Sequence, residues 1–198
     1  MHRALALAVS ALFSTAVFAT AVPGQPAPGF TVTDLSGKPV KLEDYKGKTV
    51  VLEWINFGCP FVMKHYNSGN MQALQKKYAN DVVWLAVNST NKGHTDWAEP
   101  GPLNAQLKQL GAAQARYLVD EPGTVGMAYG AKTTPHMFII DPQGKVVYNG
   151  AIDDKRSTNP ADVKTAKNYV VAALDELKAG KPVSTTSTTP YGCTIKYK

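Results

Sequence analysis

Cysteine is nearly absent from this chain: its 198 residues contain two, Cys59 and Cys193. They stand 193 − 59 = 134 positions apart, so no adjacent dithiol exists, and no compact Cys/His spacing for zinc is present. Arginine is equally sparse. Arg3, Arg116 and Arg156 are the only three in a chain of formal net charge +6, and the lysines are scattered from Lys38 to Lys198 without a run. That leaves little for bidentate phosphate recognition and argues against nucleic acid as a partner; the basicity reads as general surface charge. Internal repeats are lacking. Past the N-terminus, no stretch approaches the roughly 20 unbroken apolar residues that a membrane-spanning helix requires.

The N-terminus itself has a basic start, "MHR", an apolar stretch, "ALALAVSALFSTAVFA", and a small-x-small site, "ATA", before Val22. This is the pattern of a cleavable signal peptide, expected over residues 1–21 or 1–19, and it predicts an exported protein, periplasmic or secreted. No stable membrane insertion is expected after its removal. The remaining 198 − 21 = 177 residues suffice for one hydrophobic core, expected over 22–180, and the Ser/Thr-rich "STTSTTP" makes 181–198 a flexible C-terminal tail that carries Cys193.

Within that core, "LSGKP" separates two short β-prone pieces and predicts a hairpin. "TVVLEWINF" reads as a strand buried on both faces that ends at Gly58, and Pro60 suits the first position of a helix, which puts Cys59 at or beside its N-cap. Asn70 is placed to cap a second helical piece. "VVWLAVNST" predicts a strand, "PGPLNAQLKQLGA" a helix closing near Gly111, "ARYLVD" a strand, "TVGMAYG" a helical turn, and "HMFIIDPQGKVVYNGAI" a hairpin around "DPQG". Asn159 and Pro160 are expected to open the last helix, running to Gly180. Alternating strands and helices imply an α/β fold: a mainly parallel sheet covered on both faces, with an antiparallel hairpin at one edge.

A thiol at a helix N-terminus faces free backbone N–H groups and the positive end of the macrodipole, which favour thiolate; a reactive Cys59 follows, against the alternative of a buried inert one. Glu53, six residues earlier in an apolar strand, must be buried, paired or exposed at an edge. Lys64 and His65, five and six positions after Cys59, are expected as solvated or rim residues because helical geometry turns them away from it.

The order of these elements resembles the thioredoxin fold. More narrowly, "PAPGFTVTDLSGKPVKLEDYKGKTVVLEW", "GCP" and "YGAKTTPHMFIIDPQGKVVYNG" resemble the redoxin branch, the alkyl hydroperoxide reductase/thiol-specific antioxidant family, over residues 25–180. The resemblance implies an oxidoreductase whose nucleophile is Cys59. It also implies a cis-proline loop at Thr134–Pro135 that presents backbone to substrate, and a role for Glu53 as proton acceptor; a lysine-paired Glu53 is the alternative. Asn56 and Pro135 stand where a peroxiredoxin has a Thr and an Arg, which tilts the expected substrate from peroxide toward a disulfide. Cys193 resembles a C-terminal resolving cysteine, within one chain or across a homodimer. A purely structural Cys59–Cys193 disulfide, worth about 5 kcal/mol by chain entropy, is the competing reading.

The expected function is therefore thiol-disulfide exchange, with an antioxidant thiol peroxidase as the alternative. Asn56, Pro60, Thr134, Pro135 and His136 are expected to contact substrate, and an external thiol reductant or the thiols and disulfides of partner proteins to complete the cycle. No cofactor and no metal is expected. A soft Cu(I) site made of Cys59, His136 and Cys193, or a catalytically dead adaptor, ranks lower.

Overall fold

The structure, a computed structural model, describes residues 20–198. The expected signal peptide thus lies outside the described residues except for Thr20 and Ala21. Ala21 is fully buried, and its carbonyl accepts a 3.0 Å hydrogen bond from the Asn149 side chain.

The chain starts with the predicted hairpin, β1 (Thr31–Asp34) and β2 (Pro39–Lys41). Its turn is fixed locally: Asp34 Oδ1 accepts from the Ser36 and Lys38 amides, and Gly37 adopts a φ of +79°. The apolar run becomes β3 (Thr49–Trp54), and α1 (Pro60–Asn67) begins with Pro60 in its first turn and Cys59 as an extended N-cap, as expected. α2 (Asn70–Lys77) starts differently from expectation. Gly69, at φ +73°, takes the N-cap position, and the Asn70 amide turns to the His65 ring instead of capping.

There follow β4 (Val82–Asn88), α3 (Pro100–Leu110) closed by Gly111, β5 (Arg116–Val119) and α4 (Thr124–Tyr129). Next come β6 (Thr133–Thr134), β7 (His136–Ile140) and β8 (Val146–Gly150), the last two joined through an Asp141-centred turn. The last helix is shorter than expected. Asn159 and Pro160 open only a 3₁₀ turn, and α5 (Tyr169–Lys178) has its own cap, the Asn168 side chain accepting from the Val171 amide.

The main sheet runs β2-β1-β5-β4-β3-β7-β8. β3, β4 and β5 are parallel at its centre, while β7–β8 and β1–β2 make both edges antiparallel rather than one. Alternation along the strands divides the core. Val51, Trp84 and Met137 meet α1, α2, α3 and α5 on one face, and Leu52, Leu85 and Phe138 meet α4 and the N-terminal segment on the other. Each such apolar side chain contributes about 1.5–3 kcal/mol on burial, so the register of β3 is strongly set.

The last residues depart most from expectation. Instead of hanging free, the tail lies along the domain: its backbone exchanges hydrogen bonds with Asn149 through Thr186 and Thr188, and Ile195 N–H donates to Lys132 O at 3.1 Å. Tyr191 and Ile195 are buried, and β9 (Cys193–Thr194) pairs antiparallel with β6. A Thr-rich run suits an added edge strand as well as a polar linker, which is why composition misread it. Native-state hydrogen exchange should therefore protect the Thr188 and Ile195 amides to the level of β8; exchange at the rate of an unstructured peptide would refute the docked tail.

Candidate active site

β3 delivers Cys59. After Trp54 the chain leaves the sheet in a turn held by Asn56, whose Oδ1 accepts from Gly58 N–H at 2.7 Å while its amide donates to Thr90 Oγ1 at 2.7 Å and Asp96 O at 3.2 Å. Cys59 is 2% exposed, and its thiol donates to Thr134 O at 3.0 Å. The Thr134–Pro135 peptide bond is cis, the conformation the resemblance implies. Cys193 is aligned with Thr134 in the β6–β9 pair, so Thr134 brings both cysteines together within one chain.

Both cysteines are free thiols. Burial raises the Cys193 thiol to about 12, with hydrogen bonding to Cys59 and its charge acting in the same direction. Asn56, Cys59, Thr90, Asp96, Thr134 and Cys193 line a cavity of about 10 Å³, the room of a single water molecule.

Gly192 permits this closeness. Its φ is +141°, and an added Cβ would run into the Thr134 carbonyl, the acceptor of the Cys59 thiol. Pro60 is exposed at the helix start beside Cys59.

Glu53 lies on the face of the sheet that carries Cys59's core, fully buried. No lysine pairs with it. Trp84 Nε1 donates to Oε2 at 2.8 Å, Tyr66 O–H donates to Oε1 at 3.1 Å, and Gln75 Nε2 approaches Oε2 at 3.5 Å. Desolvation outweighs these neutral donors and raises the carboxyl to about 7. The group is thus neither the lysine-paired carboxylate of one expectation nor an ordinary acid.

His136 departs from the expectation of a substrate contact. One position after Pro135, it lies opposite Trp54, and its ring is 4.5 Å from that of Phe138, in the core on the other face of the sheet. Both nitrogens are engaged: Nε2 with Asn149 Oδ1 at 2.8 Å, and Nδ1 accepting from Lys132 N–H at 3.2 Å. Burial lowers its pKa to about 4. The Cys59–His136–Cys193 metal set is therefore not formed.

Lys64 and His65 are corrected as well. They turn away from Cys59, yet both are buried, against Asp153 and Tyr191 rather than water. Thr90, Asp96, Asp153 and Tyr191 were missed altogether. Only the aromatic-glycine pair before Cys193 hinted that the tail has a seat.

This architecture is thioredoxin-like. The AhpC/TSA family model matches residues 23–149, and the chain belongs to that family. It is similar to the thiol-disulfide oxidoreductase ResA of Bacillus thuringiensis subsp. konkukian (strain 97-27), with 29% identity over 127 residues, 63% of this chain and 66% of that protein, just under two thirds. The thioredoxin-like protein YneN of Bacillus subtilis (strain 168) is 28% identical over 148 residues, 71% of this chain and 79% of the relative. A crystal structure of an uncharacterized conserved protein from Geobacillus kaustophilus superposes with a TM-score of 0.79 at 33% identity, over 90% of this chain and 94% of that one.

Two outcomes test the site. Glu53, whose folded pKa lies above the ordinary 4.5, gives a contribution fully present below about 4.5 and lost as pH rises through about 7. Wild-type stability should fall across that window by on the order of 3 kcal/mol relative to Glu53→Gln, read by urea unfolding at each pH. Gly192→Ala should push β9 off Thr134 and speed alkylation of Cys59; an unchanged alkylation rate would show that the tail does not cover it.

Proposed function

We propose that this protein is an exported thiol-disulfide oxidoreductase in which Cys59 is the nucleophile and Cys193 resolves. The observation that carries the reading is the convergence of both thiols on Thr134, one donating to its carbonyl and the other aligned with it across a two-stranded ladder. The relatives named as thiol-disulfide oxidoreductase and thioredoxin-like protein support the same chemistry. Export rests on the N-terminal pattern, with cleavage after residue 19 preferred because it keeps the buried Ala21.

Cys59 thiolate attacks one sulfur of a substrate disulfide, forming a mixed disulfide and releasing the other sulfur as a thiolate. Cys193 then attacks Cys59 Sγ. The second substrate sulfur leaves as thiolate, and a Cys59–Cys193 disulfide remains; an external thiol reductant returns it to two thiols by the reverse exchange. Two of the causes that hold the proton on Cys193, its hydrogen bond to Cys59 and the charge there, disappear once Cys59 is in the mixed disulfide. Burial, the largest cause, persists, so the first step eases the loss of the Cys193 proton without removing the whole barrier to it. Glu53, raised to about 7, acts as the proton acceptor of this cycle.

Peroxide reduction is the weaker reading. Asn56, at the position of the peroxiredoxin Thr, has its amide committed to Thr90 and Asp96, and Pro135 has no side-chain donor.

Incubation with glutathione disulfide followed by intact mass tests the assignment. Cys193→Ser should accumulate one glutathione on Cys59, whereas the wild type should pass to an internal disulfide and Cys59→Ser should do neither. A Cys193→Ser protein that stays unmodified at Cys59 would sink the reading.

A further inference from the structure

A buried cluster outside the thiol pair joins the helix that carries Cys59 to the tail that carries Cys193. Lys64 is 1% exposed on α1. Its Nζ donates to Lys155 O at 2.7 Å, lies 3.5 Å from Asp153 Oδ2, and sits 3.4 Å from the Tyr191 hydroxyl. The Tyr191 O–H in turn donates to Asp153 Oδ1, which also accepts from Lys155 N–H at 2.9 Å.

Phe61 adds an apolar contact, its ring centroid 5.9 Å from that of Tyr191. His65 completes the cluster. Its Nδ1 faces the Asn70 amide as acceptor, which puts the ring proton on Nε2, 3.9 Å from Asp153 Oδ2. A charge pair removed this far from water is expensive to build and weak as a general source of stability. Its position invites another role, since Tyr191 is two residues before Cys193 and Lys64 sits on the helix that Cys59 caps, five residues on.

We infer that Lys64, Asp153 and Tyr191 form a latch that holds the tail strand on Thr134: they are positioning residues that set the effective concentration of Cys193 at Cys59. This deepens the redox reading and rests on it. The cavity beside the thiols admits about one water and Cys59 is 2% exposed, so the same latch shields Cys59 from an outside disulfide until the tail lifts. Loosening it therefore has two opposite effects. The internal disulfide forms less favourably, because Cys193 spends less time in place. Cys59 meets external reagents faster.

Tyr191→Phe tests this most cleanly, deleting the hydroxyl while keeping the ring against Phe61; Asp153→Asn is the second variant. With glutathione disulfide as oxidant, the two protein thiols become the Cys59–Cys193 disulfide, and glutathione disulfide is reduced to two glutathiones. Tyr191→Phe should lower that equilibrium constant about tenfold, a potential about 30 mV less reducing. In a Cys193→Ser background the same change should accelerate iodoacetamide alkylation of Cys59 severalfold. The double variant Tyr191→Phe/Asp153→Asn should lose less than the sum of the two single losses, because one deletes and the other weakens the same Tyr191–Asp153 hydrogen bond.

A wild-type equilibrium constant and alkylation rate in both variants would overturn the latch, even if their melting temperatures fell. If the wild type forms no internal disulfide at any glutathione ratio, the redox reading fails instead. The alkylation arm still decides whether the latch covers Cys59.

Discussion

One backbone carbonyl organises this molecule. Thr134 O accepts the Cys59 thiol, and its residue is paired with Cys193, so a helix start, a cis peptide and the last strand of the chain must be in place together. Each comes from a different part of the fold. β3 and the Asn56 turn fix the first, β7 anchors the second to the sheet, and the tail reaches the third after crossing β8 through Thr186 and Thr188. The absence of a side chain on Gly192 is what lets these segments come so close.

The two-residue period of the strands decides which neighbours the site has. Glu53 and His136 flank the same region in the chain's own order of elements, yet Glu53 faces the helix layer with Cys59 while His136 faces α4's side with Phe138. A one-residue offset after Pro135 is enough to send the imidazole to the opposite core. Burial acts on both groups with opposite sign, raising the acid and lowering the base, so each is pushed toward its neutral form. Of the two, the acid shares the helix-layer side of the sheet with the core that contains Cys59.

Much of this was legible in the sequence because local chemistry wrote it. The apolar run ending at Gly58, Pro60 at a helix start and the "DPQG" turn each depend on neighbouring residues alone, and the Cys59 placement follows from them. What could not be read depends on distant pieces. Lys64 and His65 look solvent-facing by helical geometry, but Asp153 lies against both and the tail's Tyr191, 127 positions away, against Lys64. The Ser/Thr-rich segment likewise reads as a linker until Asn149 and Gly150 supply an edge: Thr188 accepts from the Ala151 amide, and its own amide donates to Asn149 O.

Closure and chemistry are coupled by the same contact. With the tail seated, the two thiols share the wall of a cavity of about one water's volume, and the Cys193 proton is held by burial and by Cys59. In the proposed cycle such an arrangement favours internal disulfide formation once Cys59 carries a substrate sulfur, but it offers an approaching disulfide almost no room. On the proposed function, a substrate has to compete with β9 for the edge of β6. β9 already occupies that edge as extended backbone, and the chain just beyond it is tied down by Ile195 N–H donating to Lys132 O. The tail is then both the second thiol and the resident occupant of the groove, and anything that loosens its seat must change access and resolution in opposite directions.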